Sequence, residues 1–170
     1  MKDLPYRSDL PYPELGELVP DERLARLLMD AYAGAHSELF AVLQYSYQHF
    51  VLDDAGSEYA GLLMKIAVTE MHHLDLLAGA LLKMGKLPVY ADGRGKFFTA
   101  RVSPNTDFCS FILEDVNAEY AAIEEYEYIL SVSDQPSLNA LIERIIEDER
   151  VHIHTLNTIL LDNCQPSVEV

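Results

Sequence analysis

The sequence predicts an all-α protein, a four-helix bundle with a long crossover between helices 2 and 3. Apolar residues recur at helical spacing over four long stretches, about 20 residues separate the second stretch from the third, and the first two stretches repeat in the last two. A chain of 170 residues with 49% hydrophobic composition is long enough for one domain with a real core and too short for two ordinary ones. The expected organisation is an extended N-terminal arm over residues 1–20 and a bundle domain over 21–170.

The arm follows from Pro5, Pro11, Pro13 and Pro20, whose spacing disfavours helix. From Asp21, a predicted N-cap, Leu24, Leu27, Leu28, Ala31, Ala35, Leu39, Val42 and Leu43 mark one helix that runs to Asp53 and stops at Gly56. Ser57 is expected to cap a second helix carrying Leu62, Leu63, Ile66, Ala67, Leu74, Leu77, Ala80 and Leu81, which ends near Gly85 ahead of Pro88. A third runs from Thr106 or Asp107 to about Ser131, and a fourth from Pro136, a residue favoured in a first turn, to about Leu161.

The segment from Lys86 to Asn105 contains Pro88, Gly93, Gly95 and Pro104. At about 3.3 Å per extended residue it can cross the whole bundle, whereas a helix hairpin needs only about 2 to 8 residues. That crossover gives a ferritin-like topology, two hairpins related by an approximate twofold axis. The repeat agrees: Glu38, Ala41, Val42, Tyr45 and Tyr47 of helix one match Glu119, Ala122, Ile123, Tyr126 and Tyr128 of helix three. Ile66, Glu70, His73 and Leu77 likewise match Ile145, Glu149, His152 and Leu156.

A net charge of -16, with no large basic cluster, excludes nucleic acid and anionic membrane surfaces as partners. No apolar run approaches the roughly 20 residues of a membrane span and no signal peptide is visible, so a cytoplasmic location is expected. Cys109 and Cys164 form no Cys-x-x-Cys pair, which excludes a zinc ribbon or a rubredoxin-type iron site; both are expected to be reduced packing residues.

The chemistry lies in two Glu-x-x-His motifs, Glu70 to His73 and Glu149 to His152, each placing both side chains on one helix face a turn apart. With Glu38 and Glu119, set among apolar neighbours on the other two helices, they complete the ligand set a bundle needs for two metal ions. Four carboxylates balance two divalent ions, and these donors suit iron or manganese better than thiol-selected zinc or copper(I). The basic residues nearest the motifs, Lys65, Arg144 and Arg150, are too few to neutralise four buried acids in a metal-free core.

Tyr45 and Tyr126 lie about two turns beyond Glu38 and Glu119, and their hydroxyls are candidates to bond the ligands or tune electron transfer; both are equally well core aromatics. Asp148 is a candidate to orient His73, with Thr69 at the equivalent place in helix two. His36, His49, His72 and His154 are read as surface or packing residues.

On Glu38, Glu70 to His73, Glu119, Glu149 to His152 and the tyrosines, residues 21–161 resemble the ferritin-like di-metal carboxylate superfamily, most closely its rubrerythrin-related branch. The resemblance implies that Glu70 and Glu149 bridge two metals, with Glu38 and His73 completing one and Glu119 and His152 the other. It further implies two iron ions, alternatively manganese, and a peroxidase-like or ferroxidase-like reaction with hydrogen peroxide or dioxygen. No rubredoxin-type cysteine domain is present, so an external electron donor is implied, and Ala122 stands where rubrerythrins often carry an extra carboxylate. Manganese catalase-like disproportionation and non-enzymatic iron buffering are the alternatives. The short segment Asp162 to Val170 argues against a ferritin cage, and a homodimer is expected from the family.

Overall fold

The computed structural model describes residues 4–98 and 102–164. Its helices are α1 (Glu22–Ala33), α2 (Glu38–Asp54), α3 (Ala60–Lys83), α4 (Phe108–Val132) and α5 (Pro136–Asn163). Among the described residues there is no strand, only an isolated antiparallel bridge between Ala91 and Phe97 in the crossover. No helix of the described residues is long and apolar enough to cross a membrane.

The bundle has four rods, the first of them broken. The single helix expected from Asp21 to Asp53 divides at Gly34, whose N–H still reaches Asp30 O at 2.7 Å while its ψ of -159° turns the chain out of the helix. A Cβ at Gly34 would lie 2.4 Å from Asp30 O, so the turn needs glycine. Ser37 then caps α2, its Oγ accepting from Phe40 N at 3.3 Å, and Glu38 becomes the first residue of the new helix. Apolar spacing continues through the break because α1 and α2 both pack against α3, which is why periodicity alone missed it.

Asp21 caps α1 through Oδ1, which accepts from Arg23 N and Leu24 N, and Asp107 caps α4 by accepting from Ser110 N at 2.8 Å. Ser57 does not cap α3. Its Oγ accepts from Tyr59 N instead, and α3 begins at Ala60 without a side-chain cap. Gly56 and Gly85 take positive φ values of 70° and 78° at the ends of α2 and α3, where only glycine does so without strain.

Two apolar clusters occupy the two ends of the bundle. One joins Leu24, Leu28 and Met29 of α1 to Leu77 and Leu81 of α3, Ile129 of α4 and Leu141 and Ile142 of α5. The other joins Tyr45 and Leu52 of α2 to Leu63 and Ile66 of α3, Phe111 and Ile112 of α4 and Leu156 and Ile159 of α5. Burying each such side chain stabilises the fold by roughly 1.5–3 kcal/mol. Together the clusters clamp the middle of the bundle, where polar residues meet.

The crossover returns along α1: Gly93 N donates to Asp30 Oδ1 at 2.9 Å and Tyr90 stacks on Tyr32 at 5.8 Å. Residues 4–20 form no helix and lie against α5. Thr155 Oγ1 donates to Pro5 O, Arg144 Nε to Leu10 O and Gln135 Nε2 to Val19 O.

Cys109 and Cys164, expected to be reduced, are joined by a disulfide across a Cα separation of 5.7 Å. Antiparallel packing of α4 on α5 brings the first turn of one helix beside the residue that follows the other, which the compartment-based expectation did not take into account.

Candidate metal centre

Glu38, Glu70, His73, Glu119, Glu149 and His152 are all buried and converge between the two apolar clusters. Glu38, Glu70, His73 and Glu149 offer donor atoms within 4.8 Å of one another, and so do Glu70, Glu119, Glu149 and His152. Each group takes the terminal Glu and the His of one hairpin. Glu70 and Glu149 belong to both.

Each imidazole turns Nδ1 inward and Nε2 outward. His73 Nδ1 lies 2.9 Å from Glu70 Oε2, 3.1 Å from Glu149 Oε1 and 3.6 Å from Glu38 Oε2. His152 Nδ1 lies 2.9 Å from Glu149 Oε2, 3.0 Å from Glu70 Oε1 and 3.3 Å from Glu119 Oε1. The outer nitrogen of His152 is 2.9 Å from the main-chain oxygen of Tyr6, which can only accept, so Nε2 carries the proton. His73 Nε2 meets Asp148 Oδ2 at 3.0 Å in the same sense. A neutral imidazole protonated there has a bare lone pair at Nδ1, aimed at three acceptor oxygens. That is a repulsive arrangement unless a cation or a second proton stands between them.

Glu70 Oε1 and Glu149 Oε1, one from each shared carboxylate, are fully buried and have no donor among the described residues apart from the inward imidazole nitrogens of His152 and His73, at 3.0 and 3.1 Å. Buried carboxylate oxygens whose nearest polar neighbours are inward imidazole nitrogens, on both shared residues, fit two metal ions by the chemistry of the donor set.

Comparison with known proteins agrees. The model of the family "Manganese containing catalase" matches residues 10–89. Bacterioferritin of Desulfovibrio desulfuricans is 32% identical over 138 residues, covering 78% of this chain and 73% of that protein. The chain belongs to the ferritin-like di-metal superfamily. Protein CotJC of Bacillus subtilis is 28% identical over 169 residues, covering 86% of this chain and 87% of the relative. The solved structure of KatB, a manganese catalase from Anabaena, superposes with a TM-score of 0.83 at 21% identity, over 98% of this chain and 84% of that one, a likeness of fold. The crystal structure of the Desulfovibrio desulfuricans bacterioferritin, described with a diiron site, gives 0.72 at 28% identity over 83% and 81%.

Within this ferritin-like bundle the two tyrosines act crosswise: Tyr45 of α2 donates to Glu119 Oε1 of α4, and Tyr126 of α4 donates to Glu38 Oε1 of α2. Each hydroxyl thus fixes the carboxylate of the opposite hairpin. Asp148 sits behind His73 and is held by the Tyr12 hydroxyl on Oδ2 and by Ser8 N at 2.7 Å and Arg144 Nη1 at 2.8 Å on Oδ1. Thr69, its counterpart in sequence, bonds back to Lys65 O and does not serve His152. His72 lies outside the cluster, edge-on to the Tyr12 ring at 4.6 Å.

Sequence reasoning did not find Tyr6, Tyr12 or the network of Asp115, Gln44 and Gln48. Gln44 Nε2 and Gln48 Nε2 both donate to Asp115 Oδ1, at 2.5 and 2.8 Å, while Asp115 Oδ2 and Gln48 Oε1 have no hydrogen-bond partner among the described residues. The signal was available: Asp115 stands one turn before Glu119, and Gln44 and Gln48 stand one turn apart on the facing helix.

Burial, with the neighbouring Glu70 and Glu149, pushes the Glu38 and Glu119 carboxyls well above the usual range. Glu70 feels the same burial, but the His152 imidazolium and hydrogen bonds from both histidines outweigh it and hold Glu70 below its ordinary value. Burial disfavours charged His73 and His152, yet the surrounding carboxylates win and raise both. Without metal, therefore, protons occupy the places of cations. Burial pushes the Asp148 carboxyl up, but hydrogen bonds from His73, Tyr12, Arg144 and the Ser8 N–H hold it below the usual range, while burial pushes the Tyr12 hydroxyl up to about 12 and keeps it a donor.

A cavity of about 20 Å³ adjoins the cluster on the α2–α4 side, lined by Phe40, Ala41, Gln44, Ala118, Glu119 and Ala122 among others. Phe40, Gln44 and Ala118 also line a larger surface groove with Glu114 and Asn117, so the inner cavity borders the surface there. A space of that size holds about one water-sized molecule.

Proposed function

We propose that the protein holds two divalent ions, manganese or iron, and uses them to consume hydrogen peroxide. Glu70 and Glu149, common to both donor groups, would hold both ions, with Glu38 and His73 completing one position and Glu119 and His152 the other. The observation that carries this reading is the pair of imidazoles with Nδ1 turned onto carboxylate oxygens and Nε2 committed outward. Four acids and two neutral imidazoles match the charge of two divalent ions, and removing those charges from water is tolerable only with that match.

Bound, such a pair supplies two electrons together and open positions for an O–O bond. The chain does the rest. Tyr45 and Tyr126 are positioning residues that hold the Glu119 and Glu38 carboxylates in place. Phe40, Ala41, Ala118 and Ala122 line a small cavity beside the centre that keeps all but the smallest molecules away from it. Asp148 and the Tyr6 carbonyl keep both imidazoles in the tautomer that donates outward.

Disproportionation, which needs no donor, is favoured because the manganese-containing catalase model matches a segment containing Glu38, Glu70 and His73. A second reading, oxidation of ferrous iron by peroxide or dioxygen, is supported by the bacterioferritin relative. Peroxide reduction with an external donor, the rubrerythrin-like reading, uses the same ligands. Metal-loaded protein is assayed for peroxide loss and oxygen release, with and without a reductant, and for ferrous oxidation. Oxygen release without a donor is the expected result; peroxide loss only with a donor supports the rubrerythrin-like reading. Inertness of both the manganese and the iron forms in all three assays contradicts the proposal.

A further inference from the structure

Both outer imidazole nitrogens depend on the N-terminal arm, although every residue of the helix repeat lies outside it. His152 Nε2 donates to the main-chain oxygen of Tyr6 directly. His73 Nε2 donates to Asp148, whose Oδ2 takes the Tyr12 hydroxyl and whose Oδ1 takes Ser8 N. The arm is itself fixed at these points: Thr155 Oγ1 bonds Pro5 O, Arg144 bonds Ser8 O and Leu10 O, and the Arg144 guanidinium lies over the Tyr12 ring at 4.1 Å. Tyr12 Oη is also 3.3 Å from His73 Nε2.

We propose that the arm is a working part of the metal site, with Tyr12 positioning His73 through Asp148 and the Tyr6 carbonyl positioning His152, and that this makes the two metal positions unequal. An ionised carboxylate behind an imidazole raises its basicity and fixes its ring more than a neutral carbonyl does, so the position built on His73 binds its ion more tightly. The hydroxyl of Tyr12 contributes by pinning the one carboxylate oxygen that receives the His73 proton. This inference rests on the proposed two-metal reading.

The decisive variant is Tyr12→Phe, which keeps the ring against Arg144 and His72 and removes only the hydroxyl. Metal-free protein is titrated with Mn(II) without oxygen, free ion being counted by its electron paramagnetic resonance signal. The wild type is expected to show two unequal affinities, and the variant to lose roughly three- to tenfold in the tighter one with the weaker unchanged. A general loss of structure would move both affinities. Equal losses at both positions, or none, overturn the inference. A second measurement needs no metal: in ¹⁵N-imidazole spectra of the metal-free protein, Tyr12→Phe is expected to shift the His73 Nε2–H resonance and leave that of His152 in place. An unmoved His73 resonance overturns the inference, whereas a wild type that binds fewer than two Mn(II) contradicts the two-metal reading while the spectra still decide the role of the arm.

Discussion

The α2–α3 and α4–α5 hairpins deliver the same three side chains to the centre, Glu38, Glu70 and His73 from one and Glu119, Glu149 and His152 from the other, yet they hold them by different means. In the second hairpin α4 runs unbroken through its terminal Glu, rests on the buried Asp115 network one turn earlier, and is stapled to α5 by Cys109–Cys164. In the first hairpin the place four residues before Glu38 is Gly34, where the helix breaks. Behind the histidines the difference reverses: His73 has a carboxylate with three donors, His152 a single carbonyl. The duplicated helices set what meets at the centre, and the segments outside the repeat set how firmly each half is held.

Substitutions in both hairpins sharpen that contrast, beginning with the largest effect. Because Glu70 and Glu149 belong to both donor groups, replacing either by Ala is expected to abolish stable binding of both ions, while Glu38→Ala or Glu119→Ala is expected to weaken chiefly one; metal content after dialysis separates the two classes. Asp148→Asn is next, with an expected loss of about 10- to 100-fold in affinity at the His73 position, read by stepwise metal titration. An equal loss at the His152 position would erase the asymmetry described above. Cys109→Ser with Cys164→Ser opens the staple over a sequence separation of 55 residues and is expected to lower unfolding free energy by roughly 2–4 kcal/mol in urea, without changing metal stoichiometry.

The smallest effect concerns pH. Burial pushes the Asp115 carboxyl up to about 7 from an ordinary 3.8. Between those values the folded protein holds a proton that the unfolded chain has released, so stability is fully present below the lower value and declines as pH rises through the higher one. Asp115→Asn removes that decline. Denaturation of both proteins at several pH values between 4 and 8 is expected to show the variant gaining on the wild type as pH rises; parallel curves would remove Asp115 as the source.

Much of this was legible in the sequence because it is periodic. Helical spacing, the two Glu-x-x-His motifs and the in-register repeat placed four rods and brought the six central residues to one level of the bundle, where the structure also has them. Periodicity is blind to whatever leaves the spacing intact, which is why the break at Gly34 went unseen. The arm carries no period at all, so its prolines announced an extended segment but not that Tyr6 and Tyr12 reach the histidines across more than 60 residues of chain. The disulfide lay in plain view once α4 and α5 were known to be antiparallel; an assumption about redox compartment hid it.

The most direct test is the metal-to-chain ratio. Protein loaded with Mn(II) or Fe(II) without oxygen, freed of excess ion and measured by elemental analysis, should carry two ions per chain, falling to none in Glu70→Ala. A ratio of one or less in the folded wild type, or two ions retained in that variant, would contradict the account.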